Sequence, residues 1–118
     1  MSLTYVSHSA DHVELMIPGG TVTAEDPAQT VATGAIITLL DMAATLAVWS
    51  RVGAFRPHAS LDFRVDHLSL PIIGDDIFGR AECYQLDDKI AFVRGSARMS
   101  GGLSVASFAG TYKFTDTK

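Results

Sequence analysis

Residues 34–49 constrain this chain more than any other stretch. They read Gly-Ala-Ile-Ile-Thr-Leu-Leu-Asp-Met-Ala-Ala-Thr-Leu-Ala-Val-Trp, with Asp41 the single charge. Alanine, leucine and methionine dominate, and these are strong helix formers. No proline interrupts the run. A helix apolar on every side must be wrapped by protein or lipid. A membrane span needs about 20 apolar residues, and a carboxylate at its centre is costly. The reading is therefore a buried central helix in a soluble domain. Its polar groups are ordered. Gly34, Thr38, Asp41 and Thr45 follow spacings of four, three and four, which makes one stripe along the helix. The lone carboxylate on that stripe is the most informative residue in the chain.

The 118 residues are read as one domain, 1–118, with a real core. At 47 % hydrophobic residues the chain is globular rather than disordered. A net charge of −4 without a basic cluster argues against nucleic-acid and anionic-membrane surfaces. The one cysteine, Cys83, cannot form an internal disulfide and fits a reducing, cytoplasmic compartment. The first eight residues lack a basic region followed by an apolar run, so no signal peptide is expected.

Two short strands, 4–9 and 13–17, precede Pro18-Gly19-Gly20. A loop over 21–31 leads to the helix, with Thr30 or Thr33 as its cap. The helix ends near Arg51, which suits the negative end of the dipole, and Gly53 supplies the stop. After it the period becomes two. Ala59, Leu61, Phe63 and Val65 alternate with Ser60, Asp62, Arg64 and Asp66, a strand with one buried face. That parity turns Ser60 away from the core unless a bulge intervenes. Strands over 77–86, 89–99 and 103–114 follow, turned at Asp87-Asp88 and Ser100-Gly101-Gly102, so the second half is an antiparallel meander. Glycines inside these strands, Gly79, Gly95 and Gly110, mark bends or close backbone approach. Two strands, a buried helix and four strands suggest a sheet wrapped around a helix.

This order resembles the hotdog fold, an α+β architecture in which an antiparallel sheet of five or six strands wraps one central helix. The helix motif and Leu61-Asp-Phe-Arg-Val-Asp-His-Leu-Ser-Leu-Pro71, with Gly74-Asp75 and Ala91-Phe-Val-Arg-Gly95, look more narrowly like the PaaI-type acyl-CoA thioesterases, over nearly the whole chain. The resemblance implies hydrolysis of an acyl- or aroyl-CoA thioester by an aspartate-activated water. It places the acid at Asp41, a water-holding hydroxyl at Ser60, and an N–H aimed at the thioester oxygen at Thr33. An upstream asparagine of the family would fall near Asp26. This chain departs from the family in one respect. The usual His-Gly-Gly at the helix start is Ala32-Thr33-Gly34 here. That departure motivates the alternative, a non-catalytic acyl-thioester-binding scaffold. A hotdog dehydratase would resemble a His-plus-acid pattern, which this helix lacks.

Thioester hydrolysis needs a base, a water and donors for the oxyanion. Asp41 supplies the base, and the N–H groups of Thr33 and Gly34 at the helix N-terminus supply donors. Asp41 lies eight residues beyond Thr33, about 12 Å along the axis at ~1.5 Å per residue. One thioester carbon cannot touch both. The base must meet the helix N-terminus of a second copy, which requires a homodimer or a dimer of dimers. No metal-ligand spacing joins His8, His12, His58 and His67, so neither metal nor separate cofactor is expected, coenzyme A being part of the substrate. The ordinary alternative for Asp41 is a carboxylate held by Thr38 or Thr45 at a wet edge, and for Ser60 a solvated strand serine. Arg51, Arg56, Arg64, Lys89 and Arg94 are available to coenzyme A phosphates, but each also fits a plain surface charge.

Overall fold

The computed structural model describes residues 3–8, 12–19, 30–69 and 74–116. Strands β1 (Thr4–His8) and β2 (His12–Ile17) precede helix α1 (Thr30–Val52). Strands β3 (His58–His67), β4 (Ile77–Leu86), β5 (Ile90–Met99) and β6 (Ser104–Phe114) follow. All pairings are antiparallel, in the order β1-β2-β4-β5-β6-β3. The sheet wraps one helix, as the sequence pattern predicts. The short β1 and the ten-residue β3 form its two edges.

The turns have local causes. Asp87 Oδ1 accepts the N–H groups of Lys89 (2.8 Å) and Ile90 (2.7 Å), fixing the β4–β5 turn. These two bonds favour the ionised carboxyl and hold Asp87 below its ordinary value. Gly102 takes φ +98° at the β5–β6 turn, where its N–H reaches the Met99 carbonyl. Asp76 Oδ1 accepts the Gly19 N–H at 2.7 Å, which ties the end of β2 to the start of β4.

The helix is amphipathic in a way its composition conceals. Ala35, Ile36, Leu39, Leu40, Ala43, Ala44, Ala47 and Val48 are buried. Gly34, Ile37, Thr38, Asp41 and Met42 are exposed. The buried set steps by one and three alternately, a stripe along one side that packs chiefly on β2, β4 and β5. Burial of each large member, such as Leu39, contributes roughly 1.5–3 kcal/mol. The four alanines, and glycine in the facing strand, let helix and sheet approach closely. A Cβ on Gly79 would lie 2.6 Å from Leu39 Cγ. The helix ends as the sequence predicts: Gly53, at φ +86°, donates its N–H to the Trp49 carbonyl at 2.8 Å, and Arg51 donates to the Cys83 carbonyl at 2.7 Å.

Two expectations change. The helix begins at Thr30, so Thr33 lies inside the first turn rather than capping it. The single buried face of β3 is also broken. Ser60 pairs with Tyr112 and Asp62 with Thr111, so Leu61 is an extra residue in the ladder. The bulge reverses parity. His58 and Ser60 share the helix-facing side with Tyr112 and Phe114, and beyond it Phe63 and Val65 do, while Ala59 and Leu61 are exposed.

Gly79→Ala should lower unfolding free energy in urea by about 1–3 kcal/mol, because the new methyl must displace the fully buried Leu39. An unchanged denaturant slope would confirm that packing, not the unfolded chain, carries the loss.

Candidate active site

Asp41 projects from the open side of α1, and one bond defines its surroundings. The Tyr112 hydroxyl, on β6, donates to Asp41 Oδ1 at 2.9 Å. Tyr112 is 2 % exposed, so its ring is core while its hydroxyl reaches the edge of the helix. Burial, and after it the negative charge and hydrogen bond of Asp41, push the Tyr112 phenol well above its ordinary range; a hydrogen bond with Thr45 pulls the other way. Tyr112 is thus a fixed donor to the carboxylate. Thr38 does not hold Asp41, since its Oγ1 donates to the Gly34 carbonyl at 3.0 Å, one turn back.

Ser60 stands directly across from Tyr112 on the same side of the sheet. The Leu61 bulge therefore supplies the turn toward the helix side that simple alternation denied it. His58 precedes Ser60 by two residues, and its ring lies 4.5 Å from that of Tyr112. Its Nδ1 is 3.3 Å from the Arg56 carbonyl oxygen. Asp41 and Tyr112 therefore meet between α1 and β6, with the exposed Ser60 on the neighbouring strand β3.

The other predicted donors sit at the far end of the stripe. Thr33 and Gly34 lie at the start of α1, the end at which a helix presents N–H groups without intrahelical partners. A Cβ on Gly34 would meet no atom within 4 Å, so the space beside it is open. The helix is continuous from Thr30 to Val52, so the separation of Thr33 and Asp41 stays at about 12 Å. Position 26 lies outside the described residues. Among the described residues no cluster of His, Cys, Asp or Glu could hold a metal ion.

The surface around Asp41 is not that of a finished protein. Ile37 is 40 % exposed and Met42 42 %, on the helix beside Asp41. Large exposed apolar groups next to a polar site are typical of places where another surface docks. The 19 residues 34–52 are long and apolar enough to cross a membrane, but their buried stripe is already covered by the sheet.

The model of the thioesterase superfamily matches residues 28–106. The chain belongs to that superfamily. Solved structures agree on the fold. A Pseudomonas aeruginosa protein superposes with a TM-score of 0.82 at 26 % identity, covering 94 % of this chain and 84 % of that one. The Escherichia coli PaaI protein of the phenylacetic acid degradation operon gives 0.79 at 15 %, covering 94 % and 82 %. A Streptococcus mutans protein bound to acetyl-CoA gives 0.79 at 19 %, covering 98 % and 90 %. No curated protein matches. The hotdog fold and membership of the thioesterase superfamily are thereby shown.

Tyr112 is the residue that sequence reasoning passed over. Its signal was present: Phe108, Gly110, Tyr112 and Phe114 alternate inward, and a buried phenol needs a partner. Because Tyr112 keeps its proton in the fold and loses it near pH 10 when unfolded, the folded state binds the extra proton. Its stabilising contribution is complete below about pH 10 and is lost as pH rises. Unfolding free energy should fall more steeply above pH 10 in the parent than in Tyr112→Phe, by up to ~1.4 kcal/mol per pH unit. Urea titrations at a series of alkaline pH values measure the difference.

Proposed function

We propose that this protein is an acyl-CoA or aroyl-CoA thioesterase in which Asp41 activates the attacking water. The observation that carries the reading is the placement of Asp41: a carboxylate on the open face of the central helix, bonded through one oxygen to Tyr112, in a chain of the thioesterase superfamily. Acetyl-CoA bound to a protein of the same fold supports the substrate class.

The reaction follows from these groups. Asp41 takes a proton from a water that Ser60 helps to hold. The hydroxide attacks the thioester carbonyl carbon. The negative charge that develops on the carbonyl oxygen is met by the helix N-terminus of a second copy, through its Thr33 N–H. Gly34, with no side chain, leaves room for the thioester to come against that terminus. The carbon–sulfur bond then breaks, the sulfur of coenzyme A takes the proton held by Asp41 and leaves as the thiol, and the carboxylic acid departs. No cofactor beyond the substrate's own coenzyme A enters.

The second copy is part of this reading. The 12 Å between Thr33 and Asp41 keeps both from serving one carbon within a single chain. Ile37 and Met42 are exposed where a partner would cover them, and the unpaired edge of β3 invites another strand. A two-fold dimer brings each helix N-terminus to the other's acid and creates two sites. A dimer of dimers satisfies the same geometry. Light scattering at micromolar concentration should give at least twice the mass of one chain; a monomer would contradict the shared site.

Asp41→Asn retains shape and an oxygen that accepts from Tyr112, but it removes the base. Hydrolysis of a panel of acyl-CoAs, followed by release of free thiol, should show kcat reduced by at least about 10²-fold with KM little changed. The thermal midpoint should hold or rise. An active parent whose rate survives this substitution refutes the role of Asp41. A folded parent that binds acyl-CoA but releases no thiol from any of them supports the scaffold reading raised by Ala32-Thr33-Gly34.

A further inference from the structure

The geometry points to Tyr112 as a positioning residue for the proposed reaction: its hydroxyl pins one oxygen of Asp41 from the sheet side, so that the other oxygen is presented to the water. This deepens the reading of Asp41 as base and rests on it. A carboxylate on a helix surface has three rotatable dispositions at χ1 and a nearly free second torsion. A general base must instead hold one oxygen within hydrogen-bond reach of the water it deprotonates. On α1 nothing restrains Asp41. Thr38, the neighbour one turn earlier, is occupied with the Gly34 carbonyl. The restraint comes from β6, through the 2.9 Å bond to Oδ1.

Tyr112 is built for that task and unsuited to direct chemistry. Its ring is buried and packed by His58 at 4.5 Å and by Phe63 at 6.5 Å between centroids. The strand itself is held on both sides, since Tyr112 pairs with Ser60 of β3 and Ala91 of β5. The hydroxyl therefore has little freedom to follow a wandering carboxylate. Burial and the negative charge of Asp41 hold the phenol above its ordinary range, so it stays protonated and a donor at neutral pH. The titratable groups packed at this point are Asp41 on α1, Tyr112 on β6 and His58 on β3. His58 meets the tyrosine ring, and its Nδ1 lies 3.3 Å from the Arg56 carbonyl oxygen.

Tyr112→Phe keeps the ring and deletes the donor. With an acyl-CoA that the parent hydrolyses, kcat should fall about tenfold while KM changes little. A residue that only filled space would change the thermal midpoint and leave kcat near that of the parent. Replacing tyrosine by 3-fluorotyrosine throughout the chain keeps the hydroxyl and the core, and should leave kcat within about twofold of the parent. The ¹³C resonance of the Asp41 carboxyl at one neutral pH reads the hydrogen bond without turnover, and should differ between parent and Tyr112→Phe. An unchanged Asp41 resonance, or a kcat of Tyr112→Phe within about twofold of the parent, overturns the role of Tyr112 and leaves Asp41 as base. A parent without hydrolysis of any acyl-CoA overturns both, and the resonance then shows separately whether the pairing itself exists.

Discussion

One sheet can cover only one side of a helix, and the rest of this structure depends on how that limit is met. The 23 residues of α1 are apolar nearly all round. Leu39, Leu40, Ala43 and Ala47 disappear into the sheet, and Gly79 lets the backbone of β4 come close enough to pack against Leu39. The opposite side, with Gly34, Ile37, Thr38, Asp41 and Met42, stays in the open. Apolar groups placed there gain nothing from a single chain. They gain from a second surface, and the long free edge of β3 lies on the side where such a surface would join.

The same asymmetry lets a lone carboxylate sit on the helix. A buried, unpaired aspartate would drive its own protonation. Asp41 instead keeps contact with solvent and takes one hydrogen bond from the core. Tyr112 belongs to both regions: its ring contributes apolar burial, and its hydroxyl carries the rigidity of the sheet to the rim of the helix. Superfamily membership says that thioester chemistry is at home on this scaffold. The bond to Tyr112 ties the carboxylate of α1 to the sheet, in a chain that carries Ala32-Thr33-Gly34 near the start of the helix.

Much of the architecture was legible because it is encoded locally. The helix follows from uninterrupted helix formers and ends at a glycine with positive φ. The meander follows from turn residues at Asp87-Asp88 and Ser100-Gly101-Gly102 between alternating strands. The start of the helix was harder to read, because 30–33 contain no strong stop or start signal beyond two threonines. The parity of β3 was misread for a different reason. Ala59, Leu61, Phe63 and Val65 alternate without a break, so nothing within the strand announces a bulge. The extra residue exists only relative to β6, where Tyr112 meets Ser60 and Thr111 meets Asp62.

The sequence by itself determined the elements, their order, the family and the lone carboxylate on the helix. Each depends on neighbours three or four residues apart along a helix, two apart along a strand, or adjacent in a turn, and such relations survive in one dimension. Tertiary structure decided that Ser60 takes the same side of the sheet as Tyr112, and that Asp41 is met by a residue 71 positions away. These depend on register between strands and on the depth at which the helix sits in the sheet. Register is a property of two segments at once, and a pattern read along either one alone does not contain it.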